Sequence, residues 1–125
     1  GQMNTLRFVV VDDAVFMRTL LKKIIEEVES YKVVAEGANG IEAIEKAQVY
    51  KPDIMTLDIT MPDMDGITAV KEILKYSPDT KIIMVSAMGQ QSMVIDAIKL
   101  GAKDFVVKPF EKSRVLQAIS NVLAI

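Results

Sequence analysis

The sequence predicts an α/β domain with a (βα)5 doubly wound sheet, in which five parallel strands are each followed by a helix. Short apolar runs rich in Val and Ile alternate with segments of helical spacing. Runs that carry almost no polar position are typical of strands covered on both faces. Such an alternation implies right-handed crossovers between parallel strands. In chain order the runs are Leu6–Val11, Val33–Ala35, Ile54–Leu57, Ile82–Val85 and Phe105–Val107.

Helical spacing follows each predicted strand, because residues three and four positions apart line one face of a helix. Asn39 with Glu42 three positions later is typical of a capping pair at a helix start. Gly101 follows Leu100 where a left-handed C-terminal cap would lie. We expect the apolar residues of these faces to pack in the core. By helix, the faces are Met17, Leu20, Leu21, Ile24 and Val28; Ile41, Ile44, Ala47 and Gln48; Ile67, Val70, Ile73 and Leu74; Val94, Ala97 and Ile98; and Val115, Leu116, Ile119, Val122 and Leu123.

Length and composition indicate one domain, which we place at residues 3–125. The chain has 125 residues, half of them hydrophobic, and this is enough for one hydrophobic core. Gly1 and Gln2 precede Met3 and are predicted to be an expression scar. The formal net charge is −2 with scattered Lys and Arg, so we expect no nucleic acid and no membrane as partner. Without an apolar span or a signal peptide pattern, the expected location is cytoplasmic.

The chain contains no cysteine and no histidine, which narrows the chemistry open to it. Without Cys there is no disulfide framework, thiol nucleophile or Cys-based zinc site. Without His, the usual general base and transition-metal ligand is missing. Any chemistry must therefore use carboxylates, hydroxyls and lysines, either alone or together with a hard cation.

Polar residues directly follow most of the predicted strands. In open α/β sheets ligands bind at the carboxyl ends of the strands. Each residue taken alone has an ordinary explanation: an Asp caps a helix, a Ser caps a helix, an Asp opens a turn, a Lys lies on the surface. With a strand order of 2-1-3-4-5, however, they would form one row along the sheet edge. The row consists of Asp12 and Asp13, then Asp58, Ser86 and Lys108.

Electrostatics favours a phosphoryl-transfer site at this edge. Two carboxylates about 5 Å apart repel by roughly 3 kcal/mol at an effective dielectric constant near 20, so three converging acids require a cation. Oxygen ligands without His suit Mg²⁺, and Lys108 adds a second positive charge. Such a site stabilises a phosphoryl group in transfer. Asp58 is the best candidate acceptor, because it lies between the metal side and the Lys side, whereas Ser86 has no base partner.

The quoted residues resemble the signature of response-regulator receiver domains, and the resemblance covers essentially the whole chain. Within that family the chain is most similar to stand-alone chemotaxis members, through Asp58 to Pro62 and Ser86 to Gln91. The resemblance implies the flavodoxin-like strand order 2-1-3-4-5. The motifs are Val10-Val11-Asp12-Asp13, Met55-Thr56-Leu57-Asp58-Ile59-Thr60-Met61-Pro62, Gly66, Val85-Ser86-Ala87 and Lys108-Pro109-Phe110.

The resemblance also implies roles for individual residues. Asp58 would be phosphorylated by a histidine kinase, while Asp13, Asp58 and the backbone carbonyl of Thr60 would ligate Mg²⁺. Asp12 would assist through water. Lys108 would contact the phosphoryl group and precede a cis peptide bond to Pro109. The Ser86 hydroxyl would move toward the phosphoryl group as the switch.

The same resemblance implies how the signal leaves the site. Phe105 would be the aromatic switch residue, although close chemotaxis relatives often carry Tyr there. Thr60 and Met88 would tune hydrolysis of the acyl phosphate. The surface of the fourth helix, fifth strand and fifth helix would bind the flagellar motor switch protein or a phosphatase. We expect a monomeric regulator rather than an enzyme, with intrinsic self-phosphorylation and self-dephosphorylation chemistry only.

Three alternatives remain from the sequence. The chain could be a receiver cut from a longer regulator with an output domain. It could be an aspartyl-phosphate phosphatase of the haloacid-dehalogenase type, although that class has an Asp-x-Asp motif after its first strand. A flavodoxin-like cofactor binder would share the fold, but two acids stand where its phosphate loop would be.

Overall fold

The computed structural model describes residues 4–125, so the predicted expression scar at Gly1 and Gln2 lies outside the described residues. Strands and helices alternate along the chain as predicted. The strands are β1 Leu6–Val11, β2 Tyr31–Gly37, β3 Ile54–Asp58, β4 Lys81–Ala87 and β5 Asp104–Lys108. The helices are α1 Val15–Glu26, α2 Gly40–Tyr50, α3 Gly66–Tyr76, α4 Gln91–Lys99 and α5 Lys112–Leu123.

The five strands form one parallel sheet in the order β2-β1-β3-β4-β5, which confirms the predicted fold class. Helices cover both faces. The buried residues of α2, α3 and α4 pack on one face of the sheet, and those of α1 and α5 pack on the other. Because helices cover both faces of the sheet at the central strand β3, all five residues of β3 are buried. This burial explains why its sequence reads as a continuous apolar run.

β2 is longer than predicted, since it spans Tyr31–Gly37 rather than Val33–Ala35. The added residues pair with β1 through backbone hydrogen bonds, which do not depend on apolar side chains. β2 is an edge strand, and only Val33 and Gly37 within it are buried. Apolar periodicity therefore underestimates its length.

Two helix ends follow the predicted chemistry. The Asn39 side chain accepts from the Glu42 N–H at 2.8 Å, and the Glu42 carboxylate accepts from the Ala38 N–H at 2.9 Å. Gly101 has φ +124, in the left-handed region that favours glycine. The capping pair and the C-terminal glycine cap are confirmed.

Three apolar residues that we assigned to the core are exposed instead. Ile41, Ile98 and Leu123 are 51%, 43% and 38% exposed. A helix lying on a sheet buries only one stripe of its surface, and residues at its edge or in a terminal turn remain in solvent. Ile41 and Leu123 lie in terminal turns of α2 and α5, while Ile98 lines a surface cleft. Among residues 4–125, no helix has the length and apolar character needed to cross a membrane.

Candidate functional site

Three carboxylates meet at the carboxyl end of the sheet. Asp12 follows β1, Asp13 is next to it, and Asp58 is the last residue of β3. Each offers an oxygen, and these oxygens lie within 4.8 Å of one another. Asp12 and Asp58 are buried, at 0% and 6% exposure, whereas Asp13 is exposed. The structure therefore brings the three predicted acids together in a cluster that could hold a metal ion.

Strand register and local hydrogen bonds hold the buried carboxylates in place. β1 and β3 are neighbours, with Val11 opposite Leu57, so the next residue on each strand reaches the edge at the same height. The Asp12 carboxylate accepts from the Ala14 N–H at 2.9 Å. The Asp58 carboxylate accepts from the Thr60 N–H at 3.3 Å. Each acid thus stabilises the first turn of its own loop.

Lys108 closes the cluster from the side of β5. Its Nζ lies 3.0 Å from Asp12 Oδ2 and 3.3 Å from Asp58 Oδ2. The peptide bond from Lys108 to Pro109 is cis, as the family resemblance implied. One ammonium group therefore contacts both buried carboxylates and leaves Asp13 open to solvent.

The charges of the cluster perturb two pKa values. Burial raises the pKa of Asp58, and the negative charge of Asp12 raises it further; Lys108 and the Thr60 N–H offset part of the effect. Burial alone would lower the pKa of Lys108. The hydrogen bond to Asp12 and the charges of both carboxylates outweigh burial, so the pKa of Lys108 lies above its ordinary value. The three carboxylates carry more negative charge than the one ammonium group of Lys108 neutralises. This excess of negative charge favours the binding of a cation.

Ser86 and Phe105, the two predicted switch residues, line the same cleft. Ser86 is buried near the end of β4, and Phe105 is half-buried on β5. Both line an apolar cleft of about 320 Å³ between β4, β5 and α4. Arg114 donates to the Phe105 carbonyl at 2.6 Å, and its guanidinium lies 5.8 Å from the centre of the Phe105 ring. Met88, the predicted tuning residue, is 73% exposed at the rim.

Comparison with known proteins decides the family. The family model of the response regulator receiver domain matches residues 8–120. The chain belongs to the response regulator receiver family. Receiver domains are signalling proteins, so the haloacid-dehalogenase and flavodoxin alternatives are not supported. The outer limits of 3–125 stay a prediction.

Curated relatives of this receiver domain include chemotaxis proteins. The chain is 60% identical over 116 residues to chemotaxis protein CheY of Thermotoga maritima, covering 93% of this chain and 96% of the relative. It is 57% identical over 117 residues to CheY of Bacillus subtilis, covering 94% of this chain and 97% of the relative. This receiver domain is thus closely similar to CheY, a response regulator of two-component chemotaxis systems.

Solved structures agree with this assignment. The response regulator domain of Thermotoga maritima CheB has a TM-score of 0.81 and 40% identity, covering 97% of this chain and 92% of that one. CheY in a CheX–CheY–BeF3–Mg²⁺ complex from Borrelia burgdorferi has a TM-score of 0.87 and 38% identity, covering 96% and 90%. The receiver fold is therefore shared along nearly the whole chain.

Two residues that support the acidic loops of this receiver domain were not predicted from the sequence. Arg18 on α1 donates to the backbone carbonyl of Asp12 at 2.7 Å and pairs with Glu36 of β2 at 3.1 Å. Gln90, directly before α4, bonds to the Thr60 hydroxyl and to the Ala87 N–H. Spacing and composition indicate neither contact, because both depend on the conformation of loops in the folded chain.

Proposed function

We propose that this receiver domain is a phosphorylation-activated switch whose acceptor is Asp58, and that a histidine kinase supplies the phosphoryl group. One observation supports the proposal most directly. The Asp58 carboxylate is nearly buried, with Lys108 at 3.3 Å and two further carboxylates within 4.8 Å. An acid in this setting is a fixed nucleophile with a cation beside it, as phosphoryl transfer requires.

The transfer step follows from the chemistry of a carboxylate. An oxygen lone pair of ionised Asp58 attacks phosphorus of a phosphohistidine, the O–P bond forms, and the P–N bond breaks. The leaving imidazole keeps the electron pair of that bond and takes up a proton from solvent. Lys108 neutralises charge on the phosphoryl oxygens. Hydrolysis reverses the modification, since water attacks phosphorus and inorganic phosphate leaves with regeneration of the carboxylate.

We assign Mg²⁺ to the acidic cluster. Asp13, Asp58 and the backbone carbonyl of Thr60 would hold the ion, with Asp12 assisting through water. A donor set made only of oxygens, with spare negative charge, fits this hard cation. When bound, Mg²⁺ supplies charge neutralisation for the phosphoryl oxygens.

The switch is proposed to run through Ser86 and Phe105. Both residues line the cleft between β4, β5 and α4, so a movement of the Ser86 hydroxyl toward a phosphoryl group would change the space open to the Phe105 ring. Thr60 and Met88 stand at the loops beside the site and would tune hydrolysis of the acyl phosphate. The switch would then change the affinity with which the surface formed by α4, β5 and α5 binds a partner protein.

We propose a partner in chemotaxis for that surface, either the flagellar motor switch protein or a phosphatase. Support comes from the relatives, which are named chemotaxis proteins, and from the Borrelia CheY that is solved in complex with CheX. The proposed role places the protein in the cytoplasm as a monomer. It needs no catalytic turnover beyond self-phosphorylation and self-dephosphorylation.

Labelling with a small phosphodonor tests the acceptor directly. With ³²P-acetyl phosphate and Mg²⁺, we expect stoichiometric labelling of the wild-type protein and no labelling of Asp58→Asn. Asp79→Asn is the matched control, because Asp79 is exposed on the loop before β4. Full labelling of Asp58→Asn would overturn the assignment of the acceptor.

A further inference from the structure

The side-chain amide of Gln90 joins the two loops that flank Asp58. Its Nε2 donates to the Thr60 hydroxyl at 2.8 Å, and its Oε1 accepts from the Ala87 N–H at 2.7 Å. Thr60 in turn donates its backbone N–H to Asp58 at 3.3 Å. One side chain therefore connects the end of β4 with the loop that carries the proposed phosphoacceptor.

The Ala87 N–H points toward the β3 side of the sheet. In a parallel strand the N–H and C=O of one residue face the same neighbour, and every second residue repeats that direction. The Val85 carbonyl accepts from the Ile59 N–H at 3.0 Å, so the N–H of Ala87 faces the chain that follows β3. There the Ile59 carbonyl already accepts from the Gly66 N–H at 2.7 Å. The Ala87 N–H therefore donates to the side-chain oxygen of Gln90 instead of to the Ile59 carbonyl.

We propose that Gln90 is a positioning residue whose hydrogen bonds to Thr60 and Ala87, here called the latch, stabilise the unphosphorylated conformation. A phosphoryl group on Asp58 then displaces the Gln90 amide from the Ala87 N–H. The inference rests on the proposed role of Asp58. A phosphoryl group brings three acceptor oxygens and about −1.5 to −2 charges. Hydrogen bonds to charged acceptors are about twice as strong as neutral ones. The Ala87 N–H thus exchanges a neutral acceptor for a charged one, and the loop after β4 is released from Thr60.

The latch acts on only one of the two states, so its removal shifts the balance between them. A ligand or contact changes such an equilibrium only by its differential interaction with the two conformations. A net hydrogen bond of ordinary strength corresponds to about threefold to tenfold in an equilibrium constant. Gln90→Ala is therefore expected to tighten the binding of a phosphoryl mimic by roughly threefold to tenfold.

The latch itself is tested without Mg²⁺ or any phosphodonor. Exchange of the Ala87 amide proton with water, measured by NMR, is expected to be several-fold faster in Gln90→Ala than in the wild type. Gln90→Glu retains an acceptor for this N–H and is expected to exchange as slowly as the wild type. Gln91→Ala is the matched control, because Gln91 is the exposed neighbour. Equal exchange in wild type and Gln90→Ala would overturn the latch.

Displacement of the latch is tested with beryllofluoride and Mg²⁺ as the phosphoryl mimic. We expect Gln90→Ala to bind the mimic roughly threefold to tenfold more tightly than the wild type, and Gln91→Ala to match the wild type. Unchanged or weaker binding by Gln90→Ala would overturn the displacement. If the wild type itself failed to bind beryllofluoride, the acceptor role of Asp58 would be wrong, while the Ala87 exchange rates would still report on the latch.

Discussion

Ionisation of Asp58 destabilises the folded protein because of the groups that surround its carboxylate. Its carboxylate is 6% exposed and shares a crevice with Asp12, and both burial and the neighbouring charge raise its pKa. Lys108 contacts both carboxylates but supplies only one positive charge. The folded protein is therefore less stable with Asp58 ionised than with Asp58 protonated.

We expect Asp58→Asn to increase the free energy of unfolding at neutral pH by on the order of 1 kcal/mol, because the repulsion between Asp12 and Asp58 is removed while Lys108 keeps Asp12 as its partner. The pKa of Asp58 is higher in the folded than in the unfolded state, so protonation of Asp58 stabilises the folded protein. This stabilisation is fully present below the pKa of Asp58 in the unfolded chain. That contribution is lost as pH rises through the folded pKa. Asn stays neutral throughout, so its advantage over the wild type should disappear in acid. Urea unfolding across pH measures the difference.

Asp79→Asn serves as the control for this comparison, since it removes an exposed carboxylate outside the cluster. It should unfold like the wild type at every pH. A lower stability of Asp58→Asn than of the wild type at neutral pH would contradict the electrostatic account.

Thr56 presents a different cost within β3. It is 1% exposed, and its hydroxyl is the one buried side-chain oxygen without a hydrogen-bond partner among residues 4–125. Thr56→Val keeps the branched shape and removes the unpaired hydroxyl, so we expect a gain of about 1 kcal/mol in the free energy of unfolding. The midpoint of urea unfolding measures this gain.

Thr80→Val provides a comparison of opposite sign. The Thr80 hydroxyl donates to the Pro52 carbonyl at 2.6 Å and lies 2.6 Å from the Ser77 hydroxyl. Removing it leaves the buried Pro52 carbonyl without its donor and the buried Ser77 hydroxyl without its acceptor, so a loss of about 1–2 kcal/mol is expected. If both Thr substitutions changed stability in the same direction, the unpaired state of Thr56 would not explain the result.

At the scale of elements, the start of α3 packs directly against the loop that carries Asp58. The Gly66 N–H donates to the Ile59 carbonyl at 2.7 Å. A Cβ at Gly66 would clash with the Asp58 carbonyl oxygen and lie 2.9 Å from the Ile59 Cα. Both neighbours are backbone atoms, which a side-chain rotation cannot move away. Gly66 is therefore required by close approach of the backbone.

We expect Gly66→Ala to lower the free energy of unfolding by about 2 kcal/mol or more, because the backbone of α3 or of the Asp58 loop must shift. The same shift should weaken beryllofluoride binding. Gly89→Ala is the control: a Cβ there meets no atom within 4 Å, and only its φ of +88 opposes the change. That strain costs about 1 kcal/mol. Urea unfolding of both variants is the measurement, and a smaller loss for Gly66→Ala would contradict the contact.

At the scale of the whole molecule, the acidic cluster exists only in the folded chain. Asp12 and Asp13 follow β1, while Asp58 ends β3, with α1, β2 and α2 between them. An unfolded chain does not hold these carboxylates together. A cation that needs all of them therefore binds the folded state and stabilises it by mass action.

We expect Mg²⁺ at ten times its dissociation constant to raise the free energy of unfolding by about 1.4 kcal/mol relative to EDTA. Asp13→Asn should remove most of this increase at little cost in EDTA, because Asp13 is exposed. Urea unfolding with and without Mg²⁺ measures both effects. Equal stability in Mg²⁺ and EDTA would argue against magnesium at the cluster.

Several residues of the fold and site were predictable because strand ends of a parallel sheet share one edge. Asp12, Asp13, Asp58 and Lys108 stand directly at those ends, and the structure brings them together. Gln90 was not predictable as a latch. Its partners depend on how two loops fold toward each other, and loop geometry leaves no periodic signal in a sequence.

The order of elements, the buried strands and the acids of the site could all be predicted from residue patterns, because hydrophobic periodicity and strand-end polarity are local properties. Four features depend on how the chain folds: the full length of β2, the exposure of Ile41, the support of the acidic loop by Arg18 and the bridge made by Gln90. These features arise from backbone pairing and side-chain hydrogen bonds between segments that come together only after the sheet has formed.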